Sequence, residues 1–418
     1  MSSTNFGMMV RVHGEVSVEQ INFALRQIRV RHVALISPME RTPDHQVDYD
    51  LLFTLSVREN CSESDWVEVA QSELATPFEE QPPYARFTLL RRAGGFDLLA
   101  IFHHYVCDGM SGMFLLRDVL QVLAQPDAPV IPLAAPPRED EIKLPDSAME
   151  SPRLQKKVQK TVEKLRRKVL REKEHQAALA QKQKTTSRKI SPLVNQFVIL
   201  PTLLTPEQTA ALMARCKKEQ VSVHAAICVA WMRAWLAESG AKKTRRIVSS
   251  PVNLRKHLSP PMEDTSGGFL TIVETSVDCA PEKGFWDVAR EFKRRFRSDT
   301  NGAAIFFQPA LFGKIFTETP REDVETLLRV LFYGPVKYDY SMTNLGLLPI
   351  PEQNGSLRVE AFYGPLVNSS QFERTVGIST VAGRMSLSLL FRQSKMRPAS
   401  GKALMDRAIG LLLAASAI

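Results

Sequence analysis

Two spacings of hydrophobic residues alternate along this chain. Apolar runs of strand length recur at 8–12, 85–91, 98–102, 196–200, 247–252, 269–275, 357–362 and 385–391, with the β-branched and aromatic content that favours extended structure. Between them lie stretches with helical periodicity. Ser17-Val18-Glu19-Gln20 and Thr205-Pro206-Glu207-Gln208 both match the capping box, the second with Pro at the first helical position, so helices are predicted over 18–31 and 206–218. A further helix follows Val221-Ser222 as HAAICVAWMRAWLAE. Paired openings of this kind hint at a duplicated plan. Strands and helices mix throughout, which predicts an α/β protein of two sandwich halves, each a mixed sheet with flanking helices, and an active-site channel between them.

A chain of 418 residues is too long for one ordinary core. Residues 130–147, VIPLAAPPREDEIKLPDS, are rich in Pro and acidic groups and read as an exposed linker. The predicted division is therefore an N-terminal half at 1–140, a linker and basic crossover helix at 141–190, and a C-terminal half at 191–418. The formal charge of +9 is concentrated in the crossover: residues 153–189 hold 14 Lys/Arg against three Glu, and the rest of the chain is close to neutral. Within it Leu154, Val158, Val162, Leu165 and Val169 form one apolar stripe on an otherwise cationic helix. The plain reading is a solvated crossover helix whose stripe packs on its own protein. The sharper one is a docking surface at 153–189 for an acidic acyl carrier protein or an anionic membrane surface.

Hydrophobic residues make up 44% and charged residues 24%, the balance of a soluble globular enzyme. No run reaches membrane-spanning length and MSSTNFGMMVRVHG lacks the layout of a signal peptide, so a cytoplasmic protein is expected. The apolar run at 408–418 is short and suits a core helix. Cys61, Cys107, Cys216, Cys228 and Cys279 are scattered without CxxC spacing, which predicts reduced thiols and no metal site. Walker, GxGxxG and GxSxG motifs are absent, which turns attention from nucleotide chemistry and acyl-serine intermediates.

One stretch stands out, IFHHYVCDGMSG at 101–112. The apolar run ending at Phe102 predicts a buried strand, and His103 and His104 sit where it emerges. Asp108-Gly109 makes a turn, and a helix is predicted over 113–124 with Ser111 as its cap. A neutral imidazole held at a strand end is suited to accept a proton near neutral pH. Taken alone, two histidines are more often buried structural residues, or one of them a metal ligand, although no His, Cys or carboxylate cluster stands nearby at ligand spacing.

The spacing H-H-x-x-x-D-G resembles the signature of the CoA-dependent acyltransferase superfamily, which includes chloramphenicol acetyltransferase, BAHD acyltransferases, condensation domains, alcohol acetyltransferases and the mycobacterial polyketide-associated acyltransferases. The resemblance spans the chain. Residues 14–35, with their R-H-x-x-L ending, are similar to the family's opening helix, and 76–91 to the segment before the active-site strand. SPVNLRKHL at 250–258 and YSMTNLG at 340–346 resemble second-half stretches of the alcohol acetyltransferase and polyketide-associated branches. The plant D-F-G-W-G motif is absent, YSMTNLG standing in its place.

The resemblance implies that His104 is the general base in the channel, with His103 supporting it. Asp108 is implied to be structural, pairing with an arginine, and Gly109 to permit the close turn. Arg255 is the leading partner for Asp108, with Arg86 and Arg358 as alternatives. Thr343 and Asn344 are candidate oxyanion donors, against the reading of Asn-Leu-Gly as a simple turn. Lys242, Lys243, Arg245 and Arg246 are candidates for a CoA phosphate, against the reading of a solvated turn before a strand. The expected activity is transfer of an acyl group from acyl-CoA or a phosphopantetheinyl thioester to a hydroxyl, less readily an amine, of a small-molecule or lipid acceptor. No permanently bound cofactor, no nucleic acid and a monomer are expected. The rival reading is an idle condensation-like domain that recruits carrier proteins.

Overall fold

The apolar run at 98–102 is continuous because both of its faces are covered. Leu98, Ala100 and Phe102 point into one buried cluster, Leu99 and Ile101 into another, as expected of a central strand. The computed structural model describes residues 4–33, 53–78, 84–104, 106–134, 144–180, 196–323, 326–327, 330, 338–369 and 373–417. Leu35 of the R-H-x-x-L ending, 79–83, Tyr105, 135–143 of the linker and 181–189 of the basic stretch lie outside the described residues.

In chain order the first part runs β1 (Asn5–His13), α1 (Val18–Arg31), β2 (Phe53–Arg58), α2 (Asp65–Ala75), β3 (Ala85–Arg92), β4 (Gly95–His103) and α3 (Gly109–Ala124). The one-turn α4 (Asp146–Met149) leads to the long α5 (Pro152–Ala180). Next come β5 (Phe197–Leu203), α6 (Pro206–Lys218), α7 (Val223–Ser239), β6 (Arg245–Asn253), β7 (Leu270–Asp278), α8 (Phe285–Thr300) and α9 (Phe307–Glu318). The chain closes with β8 (Tyr340–Leu347), β9 (Gln353–Asn354), β10 (Leu357–Asn368), β11 (Arg374–Val381), β12 (Arg384–Arg392) and α10 (Pro398–Ala417).

Two six-stranded mixed sheets result, ordered β2-β3-β4-β1-β10-β9 and β5-β12-β11-β8-β6-β7. The fold is thus the expected α/β pair of mixed sheets with flanking helices. Helices α1 and α3 cover one face of the first sheet, and α6, α7, α8 and α10 pack with the second. Both capping boxes close as the sequence predicts, with Ser17 accepting from Gln20 N and Thr205 from Gln208 N. The apolar C-terminal run lies in α10, where Ala408 and Leu412 are buried.

Sheet membership does not follow chain order. Strand β10, from the C-terminal part of the sequence, pairs antiparallel with β1 from Asn5↔Asn368 to His13↔Arg358. It also packs against β11 and β12, where Ser379 and Ser386 respectively donate to Phe362 O at 2.9 and 2.6 Å. A Cβ at Gly377 would stand 2.2 Å from Pro365 O, so this approach requires glycine. Strands β2, β8 and β11 were not legible as apolar runs. In β11 the small and polar Gly377, Ser379 and Thr380 interrupt the pattern, although every residue of the strand is buried.

The stripe on α5 packs on its own protein. Leu154, Val158, Val162 and Val169 are buried against Leu254, Leu258, Met262 and Phe269, and against Ile305, Phe306, Leu311 and Ile315 around the start of α9.

Candidate functional site

Strand β4 delivers the histidine pair, and backbone hydrogen bonds fix the chain as it leaves the sheet. His103 N donates to Tyr84 O at 2.9 Å, and His104 N to Thr4 O at 3.0 Å. Both histidines remain partly exposed. The His104 ring meets Phe6 edge-on, with centroids 5.1 Å apart, and His103 lies edge-on to Phe78 at 5.6 Å. Burial pushes the His104 imidazole below its ordinary value; its own carbonyl, the Asp108 charge and the Cys107 carbonyl oppose that shift without cancelling it. His103 is also lowered, by burial and then by the neighbouring ring. A depressed pKa keeps His104 neutral, the state that accepts a proton.

The helix after the motif starts earlier than the pattern of apolar residues suggests. It begins at Gly109 with Asp108 as the cap, rather than at 113 with Ser111. The Asp108 carboxylate accepts from Ser111 N at 2.9 Å, which satisfies an otherwise orphaned donor of the first turn. Ser111 takes another part, its hydroxyl bonding Asp108 Oδ1 at 2.9 Å and Gly267 O at 3.1 Å. Gly109 is packed: a Cβ there would stand 3.1 Å from Pro365 Cγ and 3.4 Å from Leu345 Cδ2. The ends of β8 and the middle of β10 therefore abut the motif.

Arg255, immediately after β6, closes a fork on Asp108. Nη1 donates to Oδ2 at 2.8 Å and Nη2 to Oδ1 at 2.9 Å. Both side chains are 2–3% exposed. Arg255 also donates to Ser111 Oγ at 2.8 Å and to Thr265 O, and Phe269 N donates to Asp108 Oδ2 at 3.1 Å. Bidentate geometry with its remaining donors satisfied is what a buried ion pair needs to offset desolvation. The alternatives are committed elsewhere: Arg86 pairs with Glu73 at 2.8 Å and Arg358 with Glu360 at 3.2 Å.

A second tie joins the same segment to α3. His32 Nε2 meets Asp118 Oδ2 at 2.9 Å while its Nδ1 meets Ser266 Oγ at 3.0 Å. Burial alone would raise the Asp118 carboxyl, but His32, Arg117 and Arg31 together hold it at about 2. Asp108 and Asp118 thus fasten residues 255–269 to the first half at two points. Sequence reasoning missed His32, Asp118, Ser266 and the backbone of Gly267; the Ser-Gly-Gly turn at 266–268 was the available signal.

Thr343 and Asn344 lie on β8, both partly exposed, beside Leu345 at the motif. Asn344 Oδ1 accepts from Gly346 N at 2.8 Å, and Gly346 has φ 72°, so Asn344 also shapes the turn. That bond uses the acceptor and leaves the amide donor for other partners.

The four basic residues proposed for a CoA phosphate start β6 at its far end from Arg255. Eight strand steps separate Arg245 from Asn253, about 26 Å. Arg246 corrects the expectation: it is buried, pairs with Asp339 at 3.1 Å and donates to Lys243 O, which takes it out of that group. Lys242, Lys243 and Arg245 are exposed. Cys107 is buried, and burial followed by the Asp108 charge pushes its thiol well up, so it packs rather than reacts.

Residues 195–390 match the family described as the phthiocerol/phthiodiolone dimycocerosyl transferase C-terminus. No curated protein matches. Among solved structures, polyketide synthase associated protein 5 from Mycobacterium tuberculosis is similar at 16% identity and TM-score 0.63, covering 99% of this chain and 94% of that one. Trichothecene 15-O-acetyltransferase from Fusarium sporotrichioides is similar at 13% identity and TM-score 0.69, covering 99% and 91%. The first condensation domain of the CDA synthetase is similar at 15% identity and TM-score 0.64, also covering 99% and 91%. The chain thus shares the two-lobed fold of these acyltransferase and condensation-domain structures, and its residues 195–390 match the C-terminal family of a dimycocerosyl transferase.

Proposed function

We propose that the protein transfers an acyl group from a thioester, carried by CoA or by an acyl carrier protein, directly to a hydroxyl acceptor in secondary or lipid metabolism. The observation that carries this reading is the placement of His104: a partly exposed, neutral imidazole at a strand end, on a loop whose aspartate is pinned by Arg255. The acceptor oxygen attacks the acyl carbonyl while the His104 ring takes its proton. The tetrahedral oxyanion then collapses, the carbon–sulfur bond breaks, and the imidazolium returns the proton to the departing thiolate.

An alcohol is too weak an acid to be deprotonated beforehand by imidazole, so the base acts in the transition state, where such help is worth about 10²–10⁴-fold. Alignment of acceptor and thioester supplies much of the remainder. Thr343 and Asn344, beside the motif on β8, are the proposed oxyanion donors, a role worth about 10²–10³-fold in other acyl transfers. His103 supports the pair, and Asp108 and Gly109 hold the loop. Lys242, Lys243 and Arg245, about one strand length away, suit the distant end of an extended donor.

Incubating the protein with a panel of acyl-CoAs and alcohols, and following free thiol, tests the reading. Acceptor-dependent thiol release that falls about 10²–10⁴-fold in His104→Ala, with unchanged thermal unfolding, is the expected result. Equal turnover in that variant would refute the base. Inertness toward every thioester, combined with carrier-protein binding, would favour the idle condensation-like domain.

A further inference from the structure

The outer face of α5 is a continuous cationic strip. At about 100° per residue, Arg153, Lys156, Lys157 and Lys160 fall on one side of the helix. Lys164, Arg167, Lys168 and Arg171 continue the same side, so that the eight occupy an arc of about 120° and a length of about 27 Å. All but Lys168 are exposed. No carboxylate lies within the arc between Arg153 and Arg171; Glu163 sits at its edge. The helix is tied to the rest of the fold by Arg166, which pairs with Glu318 at 2.7 Å, by Lys173, which pairs with Asp323, and by Lys157 of the strip, whose ammonium lies 4.3 Å from the centre of the Phe307 ring. The buried stripe of Leu154, Val158, Val162 and Val169 faces the opposite way.

From this face we infer that α5 rests on an anionic lipid surface. The inference is independent of the acyl-transfer reading and concerns where the protein works. Three features select a headgroup layer over other polyanions. A folded acidic partner is gripped through an apolar centre with aromatic anchors, and within this arc there is neither an apolar nor an aromatic residue. A nucleic-acid groove admits a projecting helix, whereas α5 is laid down along its length on the protein by its stripe and offers only one flat side. Beside the strip, Leu170 is 59% exposed at the rim of an apolar cleft of about 220 Å³ between α5 and the end of α9, lined by Val162, Val169, Ile315, Pro320 and Leu327. Cations over headgroups with an apolar cleft at their margin suit an interface in which charge gathers the protein and an acyl chain can be accommodated.

The test uses the full chain and sedimentation with vesicles of phosphatidylcholine, with and without phosphatidylglycerol. Binding is expected only with the anionic lipid, and should fade with added salt as the screening length shrinks from ~10 Å at 0.1 M to ~3 Å at 1 M. The combined variant Lys156→Gln, Lys160→Gln, Lys164→Gln and Arg167→Gln should weaken binding by about 10²–10³-fold. These side chains are exposed, and an unchanged melting curve checks that the variant folds. A second variant, Lys242→Gln with Lys243→Gln, should bind as the parent does. Failure to bind anionic vesicles, undiminished binding by the fourfold variant, or tighter binding to duplex DNA or an acidic carrier protein than to the vesicles would each overturn the inference. Thiol release in solution reports separately on acyl transfer, so either idea can fail without the other.

Discussion

Replacing Asp108 with Ala is the sharpest test of how the site is held. The substitution removes both oxygens of the fork and leaves the Arg255 guanidinium, 2% exposed, with no counter-charge. Breaking a buried pair from one side costs about 3–5 kcal/mol. The same change deletes the cap of α3, worth about 1 kcal/mol, and strands the Phe269 N–H that donated at 3.1 Å. These losses overlap, because Arg255 keeps its bonds to Ser111 Oγ and Thr265 O; a net destabilisation of about 4 kcal/mol is expected. Denaturant unfolding followed by tryptophan fluorescence reads it directly, since Trp66 and Trp231 are buried in two different hydrophobic clusters. A companion variant carrying Asp108→Leu and Arg255→Met should recover most of the loss, since an apolar pair leaves no charge unpaired. An Asp108→Ala protein that unfolds within about 1 kcal/mol of the parent yet has lost its activity would refute the structural role and move Asp108 into the chemistry.

Two further expectations concern protons. Because burial lowers the His104 imidazole, the reactive neutral form persists to more acidic pH than an ordinary histidine allows, and the acid limb of kcat/KM should lie below about pH 6.5; a limb at or above that value contradicts the environment described for the ring. His224, held by Ser250 at 3.0 Å and beside Phe296, is lowered by burial to about 4. The unfolded chain takes up that proton near pH 6.5, so the stability contributed above that value is lost as pH falls toward about 4. His224→Gln should flatten that part of the difference in stability against pH, and an unchanged slope in urea unfolding would count against it.

Much of the fold is legible because its signals are local. Capping boxes at Ser17 and Thr205 and the continuous run into His103 need only a few neighbouring residues to be read. The start of α3 was misplaced because Asp108 and Ser111 are both good caps, and the choice falls to Asp108 only when Arg255 and Gly267 are in position. That decision depends on partners 147 and 156 residues away. Three arginines were compatible with Asp108 in the sequence; geometry commits Arg86 to Glu73 and Arg358 to Glu360 and leaves Arg255 in reach. His32 stands in the R-H-x-x-L ending and Ser266 in a Ser-Gly-Gly turn, but neither stretch names its partner, because the tie to Asp118 forms only when α1 packs against α3. Arg246 reads as one more cation in a basic turn until Asp339 is brought beside it by the pairing of β6 with β8.

Strand β10 limits how this molecule can move. Its backbone is laced to β1 along the strand, and its middle is pressed against Gly377 of the neighbouring sheet. A clamshell gape of one lobe from the other would leave β10 beside β1 and would have to part the seam where Ser379 and Ser386 hold Phe362 O. Opening along this seam is therefore opposed by two buried hydroxyl hydrogen bonds and by the close seating of Gly377 on Pro365.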